Sequence, residues 1–392
     1  MKRPEAPAPL SRRGPRPLLL HLTLAWVKSS GLAAASLNWS NVWPNSSAPN
    51  AGMPDPALLQ ATLEEAIRAD RALIAGIAAY RADPYTRELR DPPAVWEEGE
   101  TRVMDYGGTG PAVLFIPSLI NRAYILDLME DSSMLRWCAG QGMHPYLLDW
   151  GWPGETERGF TLTDYIAGRL ERAIHAISGP VILAGYCMGG LLALAAAQRL
   201  PAKINALALL ATPWDFHAAD PTIGKRMSEA LPMLEPMMRF SNTLPIDALN
   251  SLFAMIDPHG VGNKYRDFAG QDKASMRARK FVAMEDWLAD GVPLAAPVAR
   301  ETLGGWYGAN CTARGKWLVA GLAVDPARIA QPVFCAHPRR DRLVPLESSR
   351  PLAAGLMHVN VIEPDTGHIG MVAGTHAQTA LWRPFADWVQ GL

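Results

Sequence analysis

Cysteine is scarce in this chain: four residues in 392, at positions 138, 187, 311 and 335, none in C-x-x-C spacing. That scarcity argues against a disulfide framework or a zinc knuckle and points to reduced thiols in a cytoplasm. Charge of one sign is missing too. The 37 Lys and Arg residues are balanced by 38 Asp and Glu, for a net charge of −1, and no long basic run occurs. A nucleic-acid groove has no electrostatic basis here, so no nucleic acid is expected as a partner. No stretch is long and uncharged enough to span a bilayer. No histidine has a second ligand at metal spacing, and no G-x-G-x-x-G follows a strand, so neither a bound metal nor a nucleotide cofactor is expected.

The chain is otherwise rich in apolar residues, at 49%, enough for one large α/β domain with an insertion or for two domains. The start imitates a signal peptide, with basic residues ahead of the apolar stretch Leu18 to Trp26, but His21 and Lys28 interrupt it. It reads as a segment that packs on the body or touches a hydrophobic surface. Residues 36–57, rich in Asn, Ser and Pro, read as a linker. Leu59, Leu63, Ile67, Ile74 and Ile77 then recur at helical spacing beside charged residues, which predicts an amphipathic helix.

From about residue 100, short apolar runs alternate with helical stretches, the signature of βα units around a mostly parallel sheet. Strands are expected at 112–116, 145–150, 181–185, 205–211, 332–336 and 359–363, with helices near 123–140, 162–177 and 190–199. From Asp215 to Ala330 this regularity fails, and Met, Pro and Trp become frequent. The expected organisation is an N-terminal extension (1–95), a core formed by 96–214 and 331–392, and an inserted helical cap (215–330).

The chemistry centres on "VILAGYCMGGLLALAAA" (181–197), a strand, a glycine-flanked cysteine and a helix. G-x-nucleophile-x-G between strand and helix is the nucleophile elbow of the α/β-hydrolase fold, in which the central residue takes a strained backbone conformation and any Cβ on its flanking glycines would clash. Cys187 fills that position. The following helix points its N-terminal amides at the sulfur, favouring a thiolate, and the amide of Met188 can help hold an oxyanion. The fold orders nucleophile, acid and histidine along the chain. Asp341 follows the strand 332–336 and His368 the strand 359–363, as that order requires. Asp365 and His337 compete with them but fit the strand ends less well. His144, His175 and His217 read as structural or exposed, and Cys335, inside a strand, as a small buried hydrophobe.

These residues and their surroundings resemble the polyhydroxyalkanoate synthase family, through "PSLINRAYILDL" (117–128), "SMLRWCAGQGMHPYLLDWGWPG" (133–154), "LTDYI" (162–166), "GYCMGG" (185–190), "ATPWDF" (211–216), "FVAMEDWLADG" (281–291), "DRLVPLESS" (341–349) and "TGHIG" (366–370). The short length and the "MEDWLADG" block look most like the shorter synthases that work with a partner subunit. The resemblance implies an α/β-hydrolase fold and an acyltransferase that polymerises 3-hydroxyacyl groups from coenzyme A thioesters. It also implies a triad of Cys187, Asp341 and His368, with the growing chain on the cysteine. Oxyanion donors are expected at Met188 and at Leu119 or Ile120. The chain departs from the family in Arg342 beside the aspartate, in "PSLIN" where a double proline is usual, and in its first ninety residues. Coenzyme A enters as substrate, no cofactor is implied, and a homodimer, a partner subunit and a polyester granule surface are the partners to consider. The competing readings are a thiol hydrolase or single-transfer acyltransferase, and a non-catalytic granule protein.

Overall fold

The computed structural model describes residues 12–36 and 56–392. Most of the expected linker therefore lies outside the described residues. Contacts divide the chain into two compact units, one taking in the chain up to Thr86 with Asp257–Ala289, the other Arg87–Ile256 with Asp290–Leu392. The expected partition into extension, core and cap has different boundaries, since most of the anticipated cap stays with the sheet while residues 257–289 fold with the N-terminal helices. Sequence periodicity cannot show which of two partners a helical segment will choose.

The larger unit is built on an eight-stranded sheet: β1 (Ala94–Glu98), β2 (Thr101–Asp105), β3 (Ala112–Ile116), β4 (His144–Asp149), β5 (Val181–Tyr186), β6 (Ile204–Leu210), β7 (Val333–Ala336) and β8 (Val359–Ile362). Their spatial order is β1-β2-β4-β3-β5-β6-β7-β8. β2 pairs antiparallel with both β1 and β4, and the pairs from β4 through β8 are parallel. The central strands β5 and β6 are apolar and almost wholly buried, as a parallel sheet covered on both faces requires. All six expected strands are present, and the β1–β2 hairpin is an addition.

Register places the chemistry. Ile116 at the end of β3 pairs with Gly185, while Leu210, Ala336 and Ile362 share one row across β6, β7 and β8. The loops after β3, β5, β7 and β8 therefore leave the same edge of the sheet, where ligands bind in parallel α/β sheets. The expected helix near 123–140 is broken into a 3₁₀ turn, Ala123–Leu126, a small hairpin, Asp127–Met129 with Ser132–Ser133, and a short helix, Met134–Gly140. The break surrounds Asp127, fully buried and bound by Arg87, Arg136 and the Tyr106 hydroxyl.

In the smaller unit, the helix Pro56–Ala82 buries Ala66, Leu73, Gly76, Ile77 and Tyr80, and leaves Leu63, Ile67 and Ile74 exposed. The expected helix is thus present, but of its expected apolar face only Ile77 is buried, with Leu59 half-buried. The buried face meets an aromatic group, with Tyr80 edge-on to Tyr265 at 5.6 Å and Phe268 stacked on Phe281 at 4.3 Å. A Cβ on Gly76 would lie 1.9 Å from the Tyr265 carbonyl, so only glycine admits this approach. The N-terminal helix Leu18–Ser36 packs Leu18, Leu22 and Ala25 on the same group. Among the described residues no helix is long and apolar enough to cross a membrane.

Candidate active site

Cys187 stands between β5 and the helix Met188–Arg199 with φ 56° and ψ −126°, a conformation that side chains rarely adopt. Its amide donates to the Leu210 carbonyl at 2.8 Å, which ties the turn to β6. Two glycines make the turn achievable. A Cβ on Gly185 would meet Gly190 Cα at 2.4 Å, and one on Gly189 would meet the Ile116 carbonyl oxygen at 2.0 Å. Glycine therefore lets the helix start press on both neighbouring strands. The helix behind it is buried from Met188 through Ala197 and rigid by packing, while the thiol itself is only partly buried.

His368 begins a short helix, His368–Ala373, in the loop after β8. Its Nδ1 lies 2.6 Å from Asp341 Oδ2, with side chains 9% and 0% exposed. The other Asp341 oxygen accepts the amides of Leu343 and Val344, each at 2.9 Å. The carboxylate is thus fixed by its own loop and turned towards the imidazole. Burial alone would lower the His368 pKa, but the opposing charges of Cys187 and Asp341, with hydrogen bonds to both, push it up to about 10. An imidazole held through Nδ1 and facing a thiol on its other side can take the thiol proton and return it.

The competitors stand apart. The Asp365 side chain is 75% exposed and paired with Arg340 at 3.0 Å. His337 is fully buried, and burial brings its pKa down to about 4, so it stays neutral. His144 pairs with Asp105 at 2.7 Å, His217 Nε2 bonds the Tyr307 carbonyl oxygen at 2.7 Å, and His175 is exposed. Cys335 is buried in β7, and burial raises its thiol to about 12.

The loop after β3 lies beside the helix start, with Ser118 Oγ 3.8 Å from Met188 Sδ. Trp150 Nε1 donates to the Pro117 carbonyl at 3.0 Å and fixes the loop from β4's side. Of the expected oxyanion donors, Ile120 is already engaged, because its amide donates to Ser118 Oγ at 3.2 Å. The small hydroxyl two residues back makes a local turn that competes for that amide. Among the described residues, the amides of Met188 and Leu119 have no hydrogen-bond acceptor.

Two residues escaped the sequence reasoning. Tyr186, just ahead of the cysteine, packs against His368 with ring centroids 5.1 Å apart and planes tilted by 34°, and donates its hydroxyl to the His368 carbonyl at 3.3 Å. A lone phenol ending an otherwise aliphatic strand was the available signal. Tyr307 comes from the inserted segment, packs on Phe216 at 4.8 Å, and has its phenol pKa raised by burial and by the charge of Cys187. Nothing in the sequence pattern singles it out.

Comparison with known proteins bears on the fold that carries this geometry. The alpha/beta hydrolase fold family model matches residues 111–375. The poly(3-hydroxyalkanoate) polymerase subunit PhaC of Haloferax mediterranei is 30% identical over 75% of this chain and 62% of its own length. That of Haloarcula marismortui is 30% identical over 70% and 60%, and that of Thiocystis violacea 27% over 79% and 90%. The chain thus spans about three fifths of the length of the two archaeal relatives.

Proposed function

The chain belongs to the alpha/beta hydrolase fold family, and from that premise we propose that it is an acyltransferase that polymerises 3-hydroxyacyl groups from coenzyme A thioesters through a thioester on Cys187. The observation that carries the reading is the imidazole of His368, anchored to Asp341 at 2.6 Å and raised in pKa partly by the sulfur it faces. The names of the relatives support the same reaction class.

In this reading His368 takes the Cys187 proton, and the thiolate attacks the thioester carbonyl. The amides of Met188 and Leu119 hold the resulting oxyanion, each worth about 3 kcal/mol. The tetrahedral intermediate collapses, the carbon–sulfur bond to coenzyme A breaks, and the imidazolium protonates the departing thiolate. Exchange of one thioester for another loses little free energy, so the acyl group on Cys187 stays reactive. His368 then accepts the proton of an incoming 3-hydroxyl group, which attacks the acyl carbonyl; an ester forms and the Cys187 sulfur is released. No bound cofactor is needed for either step. The inserted residues Phe216 and Tyr307, packed on the same core as Cys187, help keep water from the thioester.

A partner subunit fits the relatives' designation as subunits, and Leu19, Trp26 and Val27, 77%, 67% and 55% exposed on the N-terminal helix, suit a cytoplasmic protein that meets a polyester surface. The test is product analysis after incubation with 3-hydroxybutyryl-CoA, with and without a candidate partner subunit. Polymer supports the proposal. Free 3-hydroxybutyrate or a single ester in both conditions replaces it with a thiol hydrolase or single-transfer enzyme.

A further inference from the structure

We infer that Tyr186 is a positioning residue for His368, clamping the imidazole against the sulfur by a hydrogen bond to its backbone and by a ring face against its side chain. The inference rests on the reading of Cys187, His368 and Asp341 as the reacting set. Tyr186 is the last residue of β5, one position before the strained cysteine, and is 3% exposed. Its hydroxyl donates to the His368 carbonyl at 3.3 Å, and the two rings lie 5.1 Å apart at 34°. The strand that carries the nucleophile is thereby tied directly to the loop that carries the base. Other side-chain ties of that loop and its helix, from Arg340 to Asp365, Ser132 to the Ala373 carbonyl and Trp382 to the Val372 carbonyl, lead to elements other than the strand that carries the sulfur.

The ring face adds a charge preference. The face of an aromatic ring is negative, so it favours imidazolium over imidazole and with it the thiolate. The titratable groups around His368 are Cys187 on the elbow, Asp341 on the loop after β7 and Tyr186 itself, while Tyr307 faces Cys187 from the insertion. Burial, reinforced by the charges of Cys187 and Asp341, raises the Tyr186 phenol well above its usual range, so it remains a donor throughout the working pH.

The two contributions separate in Tyr186→Phe, which keeps the ring and loses the hydroxyl, and Tyr186→Leu, which loses both. Alkylation of Cys187 by iodoacetamide, followed by peptide mass spectrometry across pH on the full chain, reads the thiolate without any acyl substrate. Tyr186→Leu is expected to shift the half-maximal pH of alkylation upward by about half a unit to one unit. Tyr186→Phe should leave that pH in place while lowering kcat for coenzyme A release about fivefold at unchanged KM. A purely structural role would move neither the alkylation profile nor the split between kcat and KM. Coincident alkylation profiles for Tyr186→Leu and the wild type overturn the inference, and so does an undiminished kcat in Tyr186→Phe, which decides the matter alone if the leucine variant does not fold. A wild-type profile that is unchanged by His368→Gln overturns the underlying triad and this inference with it, whereas the first two results overturn this inference only.

Discussion

The two units differ in how their polar groups are paired. In the smaller unit several charged groups close on one another, although the Gln271 side-chain oxygen is buried without a partner: Tyr80 donates to Asp286 at 2.8 Å, Lys264 pairs with Glu285 at 2.6 Å, and Arg12 reaches Asp286 at 3.5 Å. At the sheet edge of the larger unit, valences stay open. Cys187 is partly exposed and the Met188 and Leu119 amides have no acceptor among the described residues, whereas Asp341 takes part in three hydrogen bonds. A closed polar network specifies a fold, whereas open donors beside a strained nucleophile are what a reaction needs. The difference teaches that chemistry here is read from what is left unpaired around a rigid turn.

Four substitutions break or sharpen that contrast. Cys187→Ala should lower acyl transfer about 10⁴-fold or more. Its thermal midpoint should stay near the wild type's, because alanine keeps the same Cβ in the same strained turn. Coenzyme A release and calorimetry check the pair of outcomes. Asp341→Asn should cost about 10³- to 10⁴-fold in kcat, by freeing the imidazole to take the wrong tautomer. It also carries a pH signature. The folded pKa of His368 is raised to about 10 from an ordinary 6.5, so its stabilisation is complete below pH 6.5 and is lost as pH rises through 10. Thermal midpoints should therefore fall across that window in the wild type, and the decline should flatten in Asp341→Asn.

Gly189→Val tests the scaffold. Its Cβ would sit 2.0 Å from the Ile116 oxygen, so urea denaturation should report a loss of about 3 kcal/mol along with lost activity. Tyr80→Phe tests the closed network, where loss of the Asp286 bond should cost about 1–2 kcal/mol of stability. The rate of Cys187 acylation should not change, which a stopped-flow burst would show.

The parallel strands and the elbow were legible because each carries its own constraint: unbroken apolar runs in β5 and β6, and glycines wherever a Cβ would collide. Asp341 and His368 are read from chain order together with their places just after the strands 332–336 and 359–363. The rest depended on tertiary partners. The β1–β2 hairpin, "AVWEEGETRVMD", hides in a charged edge whose β1 is at most half-buried. Asp127 breaks a plausible helix because two arginines and a tyrosine bury it, and the buried face of Pro56–Ala82 is chosen by Tyr265, Phe268 and Phe281, far along the chain. Ile120 and Leu119 look interchangeable until Ser118 takes one of the two amides.

The most direct test of the central claim is to quench the protein in acid within its first turnover of 3-hydroxybutyryl-CoA and map the bound acyl group by peptide mass spectrometry. The account predicts a hydroxybutyryl mass on the peptide holding Cys187, sensitive to neutral hydroxylamine and absent from His368→Gln. Turnover with that peptide unmodified, or with the acyl group on another residue, would contradict it.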